Sequence, residues 1–190
     1  MRLKIAALIL LVIASCLTSS AQDHRWTFDA GGGFSPLLGD LTNYLQNGWN
    51  IRVGAGYNYG PGISASIHYM YNSFGISPLV MHDTHSSSGD SHVWSLTLDP
   101  KLTLRYVGKV RPFVVGGVGY YRRTNHLTNP SFVPAIGNGA FSSVGGSLGG
   151  GFDIDLRDTG LKIFSELRYH YAPTGRVAVR MIPATVGVRW

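Results

Sequence analysis

Apolar and polar residues alternate one by one along most of this chain. The clearest segment, 94–106, has apolar side chains at every even position from Trp94 to Tyr106 and polar side chains at every odd position. Successive side chains of a β-strand point to opposite faces, so this period of two predicts a strand with one apolar and one polar face. Helical periodicity, which would repeat every 3.6 residues or so, is hard to find.

Seven further segments share this pattern, which predicts an all-β chain. The predicted strands cover 25–34, 49–59, 63–72, 94–106, 112–120, 144–155, 161–171 and 181–190. Long connections alternate with short ones such as Gly60-Pro61. Long loops at one end and short turns at the other are typical of transmembrane β-barrels.

Most Trp and Tyr residues lie on the apolar faces, close to the ends of the predicted strands. Such residues suit a membrane interface, where the ring contacts lipid and the polar group reaches the headgroups. We therefore predict an aromatic girdle around the outside of the barrel. Its predicted members are Trp49, Tyr57, Tyr59, Tyr69, Tyr71, Trp94, Tyr106, Tyr120, Tyr169 and Tyr171.

The polar faces carry charges of both signs near the strand centres. The lumen of an eight-stranded barrel is just wide enough for side chains to fill it. Buried charges persist only when they are paired and hydrogen-bonded, so we predict an ion-pair network that plugs the lumen. Its predicted members are Arg52, Asp99, Lys101, Arg105, Asp153, Glu166, Arg168 and Arg189.

Composition narrows the class of protein. Apolar residues make up 44% of the chain and aromatic residues 12%, which argues against disorder. Charged residues reach only 14%, well below the roughly 25% of soluble globular proteins. The formal net charge is +6, but no basic patch suited to nucleic acid is evident, so we do not expect nucleic acid as a partner.

The first 21 residues have the features of a secretory signal peptide. Arg2 and Lys4 precede an unbroken apolar run over 5–14, and small residues lead to a cleavage site after Ala21. The run is too short for a transmembrane helix, which needs about 20 residues. We therefore expect a signal peptide over 1–21 and one β-barrel domain over 22–190. An open alternative is a lipobox ending at Cys16, whose thiol would then be lipidated.

Motifs that could carry metal or cofactor chemistry are few. The stretch Met81-His82-Asp83-Thr84-His85, with Asp90 and His92, offers suitable metal ligands. It is rich in Ser and Gly, however, and we interpret it as a solvated loop without a metal. Glycine-rich stretches such as 145–151 lack the Lys-Ser/Thr of a phosphate loop, so no cofactor is expected.

Enzymatic activity on lipid acyl chains would require a Ser and a His on the lipid-facing side near the outer rim. Ser165 falls on the apolar face, whereas His68 and His170 fall on the polar face and no other suitable His is evident. We therefore expect no catalytic residues and no enzyme.

The long connections are where we expect function, as adhesion, envelope integrity or ligand contact. They cover 36–48, 73–91 and 122–139. Arg122, Arg123, Arg176 and Arg180 lie near loop ends, and we expect them to contact the anionic phosphates of lipopolysaccharide.

The end of the chain has a distinctive pattern. Val186 and Val188 alternate with small or polar residues before the aromatic terminus Trp190. This ending resembles the carboxy-terminal assembly signal of bacterial outer-membrane β-barrels, which the barrel-assembly machinery recognises. The resemblance therefore implies that machinery as a partner.

The resemblance extends over 26–190 and includes Asn47-Gly48-Trp49-Asn50 and the segment 111–120. The chain is similar to the small barrels of the outer membrane protein A and X type, and in particular to the outer membrane protein β-barrel domain family. This implies an eight-stranded antiparallel up-and-down transmembrane β-barrel, monomeric, in the bacterial outer membrane among lipid and lipopolysaccharide. Both termini would be periplasmic. Pro100 and Pro183 depart from the pattern and leave local registers open.

Alternation by itself also permits a second architecture. A soluble or lipid-anchored lipocalin-like barrel would turn its apolar face inward and bind a small hydrophobic ligand there. The two architectures differ only in which face of the strands is inside.

Overall fold

The computed structural model describes residues 25–77, 89–105, 109–127, 139–156, 159–174 and 177–190. These residues form nine β-strands and one short 3₁₀ helix, Gly39–Asn43. The strands are β1 Trp26–Ser35, β2 Gly48–Gly60, β3 Ile63–Gly75, β4 Gly89–Thr103, β5 Val110–Leu127, β6 Gly139–Asp155, β7 Lys162–Ala172, β8 Val179–Met181 and β9 Ala184–Arg189.

The strands close into a barrel. Each strand from β1 to β6 pairs antiparallel with the next, and β7 pairs with β6. Strand β9 pairs with both β7 and β1, which closes the sheet. Strand β8 continues β9 along β7, so β8 and β9 are two pieces of one eighth strand. The predicted eight-stranded antiparallel barrel is confirmed.

The two prolines interrupt the ladders without shifting them. Pro183 separates β8 from β9, yet both pieces keep the same register against β7. Between β4 and β5 the pairing stops at Leu98 and resumes at Lys101 in the same register, on either side of Pro100. Proline lacks an N–H group, so it removes a ladder hydrogen bond. Here the missing hydrogen bonds leave the register of the neighbouring strands unchanged.

The end of the barrel where β1 begins and β9 finishes is called the terminal end, and the opposite end is called the loop end. At the loop end, β5 and β6 extend further than predicted, because the predicted loop 122–139 starts inside β5. Arg122 and Arg123 are strand residues, paired with Ser142 and Phe141 on β6. The expectation that they lie in a loop is therefore corrected.

The outer face of the barrel is apolar. Val144, Leu148 and Val118 are among the most exposed side chains, at 73%, 69% and 64%. Large aliphatic residues remain this exposed around a whole barrel only where the solvent is lipid. The lipocalin-like alternative, which would bury this face, is therefore wrong. Among the residues described, no helix is long and apolar enough to cross a membrane.

Candidate functional site

The inner face of the strands in the half near the terminal end carries a cluster of charges, here called the charge layer. Of the predicted network, the structure places seven residues in it: Arg52, Asp99, Lys101, Asp153, Glu166, Arg168 and Arg189. The eighth, Arg105, is exposed two positions beyond the end of β4. The inward parity of β4 does not apply there, so assigning Arg105 to the network was wrong.

Glu166 lies at the centre of the charge layer. Its Oε1 atom accepts a hydrogen bond from Nη1 of Arg52 at 2.5 Å and forms an ion pair with Nη2 of Arg168 at 2.7 Å. Arg168 also reaches Asp99, with Nη1 to Oδ2 at 2.8 Å. The carboxylate of Glu166 therefore links two buried guanidinium groups, one on β2 and one on β7.

Two members of the charge layer were missing from the predicted network. His68 lies between two carboxylates, with Nδ1 at 2.6 Å from Asp99 and Nε2 at 3.1 Å from Asp29. Asp29 also lies 3.4 Å from Nη2 of Arg52. The alternation in β1 places Asp29 on the inner face, so parity alone was enough to find it.

The remaining ion pairs lie closer to the terminal end. Asp153 pairs with Lys101 at 3.1 Å and with the guanidinium of Arg189. Apart from His68, the described charge layer contains four carboxylates and four Lys or Arg side chains, so charges of the two signs are present in equal number. The carboxylates are those of Asp29, Asp99, Asp153 and Glu166.

Two inward phenyl rings separate the cations. The ring centre of Phe164 lies 4.7 Å from the guanidinium of Arg52 and 4.8 Å from that of Arg189. Phe113 contacts Arg189 at 5.4 Å and Lys101 at 4.9 Å. Cations over aromatic faces are stabilised, more so when desolvated. Alternation along the strands predicts that both side chains point inward. It gives no role to an aromatic ring on the polar face.

Glycine provides room for the charge layer on β5. A Cβ atom at Gly117 would collide with the carboxylate of Asp99, and one at Gly119 would meet Thr97 at 2.6 Å. The inner wall of β5 thus has no side chains where the neighbouring strand β4 contributes Asp99 and Thr97. A side chain at Gly117 would displace the network.

A row of amides and hydroxyls lies inside the barrel on the loop-end side of the charge layer. Ser35 donates to Asn72 at 2.7 Å and accepts from Asn50 at 3.0 Å, and Thr185 donates to Asn50 at 2.9 Å. These residues link β1, β2, β3 and β9 by side-chain hydrogen bonds.

An apolar cluster, here called the cap, covers the interior at the loop end. Its buried members are Leu37, Leu41, Leu45, Phe74, Ile76, Val93, Tyr121, Ala172, Val179 and Met181. Backbone hydrogen bonds hold the covering segment down, from Leu38 to Arg180 and from Ser77 to Tyr44, both at 2.8 Å. The segment 36–48, predicted as a long connection, places three leucines over the interior of the barrel. The spacing of four residues between Leu37, Leu41 and Leu45 is the only feature of the sequence that indicates a shared buried face.

The girdle residues form two belts on the outer face. Near the terminal end, Trp26 and Tyr59 flank Tyr57, each with ring centres 5.2 Å from it. Near the loop end, Trp94 lies 6.2 Å from Tyr69 and 5.5 Å from Tyr120. The loop-end belt also contains Trp49, Tyr71, Tyr169 and Tyr171. Tyr106 lies outside the described residues.

The residues of the predicted assembly signal lie on the outer face of β9 and just after it. Val186 and Val188 are exposed, and the ring of Trp190 lies 6.3 Å from that of Phe28. Their role in assembly stays a prediction.

The metal and enzyme expectations rest partly on residues outside the described ranges, since 81–85 is not described. Within the described ranges, no three His, Cys, Asp or Glu residues are grouped to hold a metal ion. His68 and His170 lie inside the barrel, as parity indicated. His92, however, shares the outer face of β4 with Trp94 and contacts Asp90. The expectation that no outward His exists is therefore corrected.

A closed barrel with an apolar exterior, aromatic belts and inward charges defines a transmembrane β-barrel protein of the outer-membrane type. The chain belongs to the family of the outer membrane protein beta-barrel domain, whose model matches residues 6–189. No curated protein matches the sequence.

Solved outer-membrane barrels share this fold at low sequence identity. Neisserial surface protein A is similar with a TM-score of 0.63 at 15% identity, over 87% of this chain and 96% of that one. The barrel domain of Pseudomonas aeruginosa OprF gives 0.54 at 16% identity, over 89% and 100%. A major outer membrane protein of Thermus thermophilus gives 0.55 at 15% identity, over 88% and 99%.

Proposed function

We propose that this protein is a non-conducting barrel of the bacterial outer membrane that stabilises the envelope and presents its loop end for adhesion or ligand contact. The observation that carries the proposal is the filled interior. A charge layer of paired cations and carboxylates is followed by hydrogen-bonded amides and then by an apolar cap, and this filling of the described interior supports a closed lumen.

Conductance in a planar lipid bilayer tests the closed interior. Folded protein should give no discrete conductance steps, and a preparation boiled before reconstitution serves as the control for contaminating porins. Regular steps that appear only with folded protein would contradict the proposal.

We further propose that the terminal end faces the periplasm, with any signal peptide over 1–21 removed. Short turns such as Gly60-Pro61 lie at this end, and transmembrane barrels keep short turns in the periplasm. The only cysteine is Cys16, so single cysteines can be introduced at exposed positions at opposite ends, as Asn43→Cys and Thr159→Cys. A membrane-impermeant maleimide should label intact cells only at position 43. Labelling at position 159 alone would show that the terminal end faces the outside of the cell, which contradicts the proposed topology.

Lipopolysaccharide is the proposed lipid partner at the loop end. Arg180 is exposed, with its guanidinium 5.7 Å from the ring of Tyr171, and exposed Arg122 pairs with Trp94 across strands. Cations at the level of an aromatic belt are placed to meet lipid phosphates. Arg123 points inward and is not part of this contact.

Co-purification of lipopolysaccharide tests that contact. The double variant Arg122→Ser with Arg180→Ser should retain less lipopolysaccharide than the wild type. The matched control, Arg105→Ser with Lys109→Ser, removes two exposed cations at the terminal end. If both variants lose the same amount of lipopolysaccharide, the effect is one of nonspecific charge and the proposed contact is wrong.

We also propose that the barrel-assembly machinery recognises the carboxy-terminal strand and that the barrel is a monomer. Trp190→Ser should lower the amount of barrel in the outer membrane of cells while leaving refolding in detergent nearly unchanged. Cross-linking of the wild type in membranes should give no dimer band. If the outer membrane contains as much of the variant as of the wild type, Trp190 is not part of an assembly signal.

One observation favours a second candidate function, modification of lipid acyl groups. His92 on the outer face contacts Asp90 and stacks on Tyr71, and its direct cross-strand partner is Ser73. A Ser, a His and a carboxylate are the groups of nucleophilic acyl transfer. Fatty-acid release from lipopolysaccharide that Ser73→Ala abolishes and Ser165→Ala preserves would favour this candidate.

A further inference from the structure

His68, on β3, is held between two carboxylates of the charge layer. Its Nδ1 atom lies 2.6 Å from Oδ2 of Asp99, and its Nε2 atom lies 3.1 Å from Oδ2 of Asp29. A neutral imidazole has one N–H donor and one nitrogen that only accepts, and carboxylate oxygens also only accept. A neutral ring would therefore place a nitrogen lone pair against a carboxylate oxygen, in an interior where His68 is 4% exposed.

Both carboxylates have further partners that bind the ionised form. Oδ2 of Asp99 accepts a hydrogen bond from Oγ1 of Thr97 at 2.7 Å and lies 2.8 Å from Nη1 of Arg168. Oδ1 of Asp29 lies 3.4 Å from Nη2 of Arg52. Guanidinium groups pair with carboxylates and not with neutral carboxylic acids, so the proton in each of the two contacts belongs to the ring.

The charge count in the central part of the layer leads to the same protonation state. Among the described side chains, this part contains three carboxylates and two guanidinium groups, those of Asp29, Asp99, Glu166, Arg52 and Arg168. A charged His68 supplies the third cation, and buried charges need partners of opposite sign. The excess positive charge of the whole layer then falls where Lys101 and Arg189 share Asp153, and there the Lys101 side chain is 13% exposed.

The position of the ring is fixed by the strand beside it. A Cβ atom at Gly54 of β2 would lie 2.2 Å from Cδ2 of His68, so the glycine leaves the space that the ring occupies. The inward neighbours of His68 on β3, Ser66 and Met70, carry no charge. The charged groups around the ring come from β1, β2, β4, β7 and β9 and are those of Asp29, Arg52, Asp99, Glu166, Arg168 and Arg189.

We propose that His68 is an imidazolium cation with a proton on each ring nitrogen, and that the folded barrel holds this second proton at neutral pH and releases it on unfolding. The ring then joins β1 to β4 through two charge-assisted N–H···O hydrogen bonds. Loss of the proton at alkaline pH breaks one of these bonds and leaves three carboxylates with two cations. The charge layer is therefore the alkali-sensitive part of the barrel.

Nuclear magnetic resonance of folded protein with ¹⁵N-labelled histidine tests the protonation state directly. The spectrum is recorded in detergent micelles at about pH 8, well above the ordinary titration of histidine. One histidine should show protons on both ring nitrogens, and that signal should be missing from His68→Gln. Exposed histidines such as His126 should show the neutral pattern.

The pH dependence of unfolding gives a second readout. Because an unfolded histidine is neutral above about pH 6.5, unfolding between about pH 7 and pH 8 releases the proton, and stability falls as the pH rises. The folding equilibrium constant, measured in urea, should fall by up to about tenfold per pH unit for this one proton. His68→Gln should lose this part of the dependence. The matched control His126→Gln, which removes an exposed histidine, should keep it.

Two results would overturn the proposal. A single protonated nitrogen on the His68 ring, in either tautomer, would show that the second proton is absent or lies on a carboxyl group. Equal pH dependence in His68→Gln and the wild type would show that no proton is released from this position. Should His68→Gln fail to refold, a variant with Gln at every other histidine leaves His68 as the only labelled ring, and its spectrum decides.

Discussion

The two ends of the barrel interior are filled in different ways. The charge layer near the terminal end consists of charged side chains and His68, contributed by seven strands, and each carboxylate of the layer is paired. The cap at the loop end consists of apolar side chains, three of them leucines from a segment outside the strands. The charge layer thus depends on strand register, whereas the cap depends on how one connecting segment packs.

This difference has a consequence for stability. Removing one partner of a buried ion pair leaves the other charged and desolvated, and the strands that carry it are part of the closed sheet. Removing a cap side chain leaves a cavity beneath a short segment that can open without unpairing strands. Damage to the charge layer should be global, and damage to the cap should be local.

Glu166→Gln should have the largest effect. The variant keeps the shape of the side chain but leaves Arg52 and Arg168 without their shared carboxylate, at a cost of roughly 3–5 kcal/mol. Unfolding in urea with vesicle-embedded protein measures the loss. The neighbouring outward variant Ser165→Ala is the control and should be nearly neutral. A loss below about 1 kcal/mol would show that the network is already hydrated.

Leu96→Lys places a charge on the outer face instead of inside. A lysine on the lipid-facing surface costs roughly 2–4 kcal/mol at the bilayer midplane and less towards an interface. Leu96 is 48% exposed on this face and pairs with Tyr69 and Tyr120. The same urea titration applies, with Leu96→Ala as the control for lost side-chain volume. A neutral Leu96→Lys would mean that this face meets water.

Leu41→Ala should cost about 3 kcal/mol at most, and its effect should be confined to the loop end. Limited proteolysis should cut the segment 36–47 faster while the urea midpoint of the barrel changes little. Thr42→Ala, at an exposed neighbour, controls for local sequence effects. A large shift of the global midpoint with no faster cleavage would make the cap part of the same cooperative unit as the charge layer.

Phe164→Leu should have the smallest effect. It removes two cation–π contacts, to Arg52 and Arg189, worth about 1–2 kcal/mol together in a desolvated site, and it preserves most of the apolar volume. If Phe164→Leu lowers the free energy of unfolding more than Glu166→Gln does, ring contacts stabilise the charge layer more than ion pairs, which contradicts the expected order.

The sequence predicts the barrel well because one physical rule governs all its strands. Alternation at period two gives the inner and outer faces, and therefore the positions of Glu166 and Leu96. The same rule places Arg123 inside once β5 is known to continue past Tyr120. Strand ends are less visible in the sequence, because they depend on pairing with the neighbouring strand. Arg105 was misassigned and β5 was drawn too short for this reason.

The cap could not be predicted from alternation. Leu37, Leu41 and Leu45 lie in a connection rather than a strand, and their spacing only makes sense once the barrel end is there to receive them. The inward rings Phe113 and Phe164 likewise occupy positions that the polar face of a strand would normally give to polar residues. Tertiary packing, not local pattern, determines these choices.

The central claim is that the barrel is closed in the outer membrane with its apolar face towards lipid. A gel of the outer-membrane fraction, with boiled and unboiled samples side by side, tests it most directly. A closed membrane barrel should give a detergent-resistant band that migrates differently when unboiled. Recovery only in the soluble periplasmic fraction, with no shift on boiling, would contradict it.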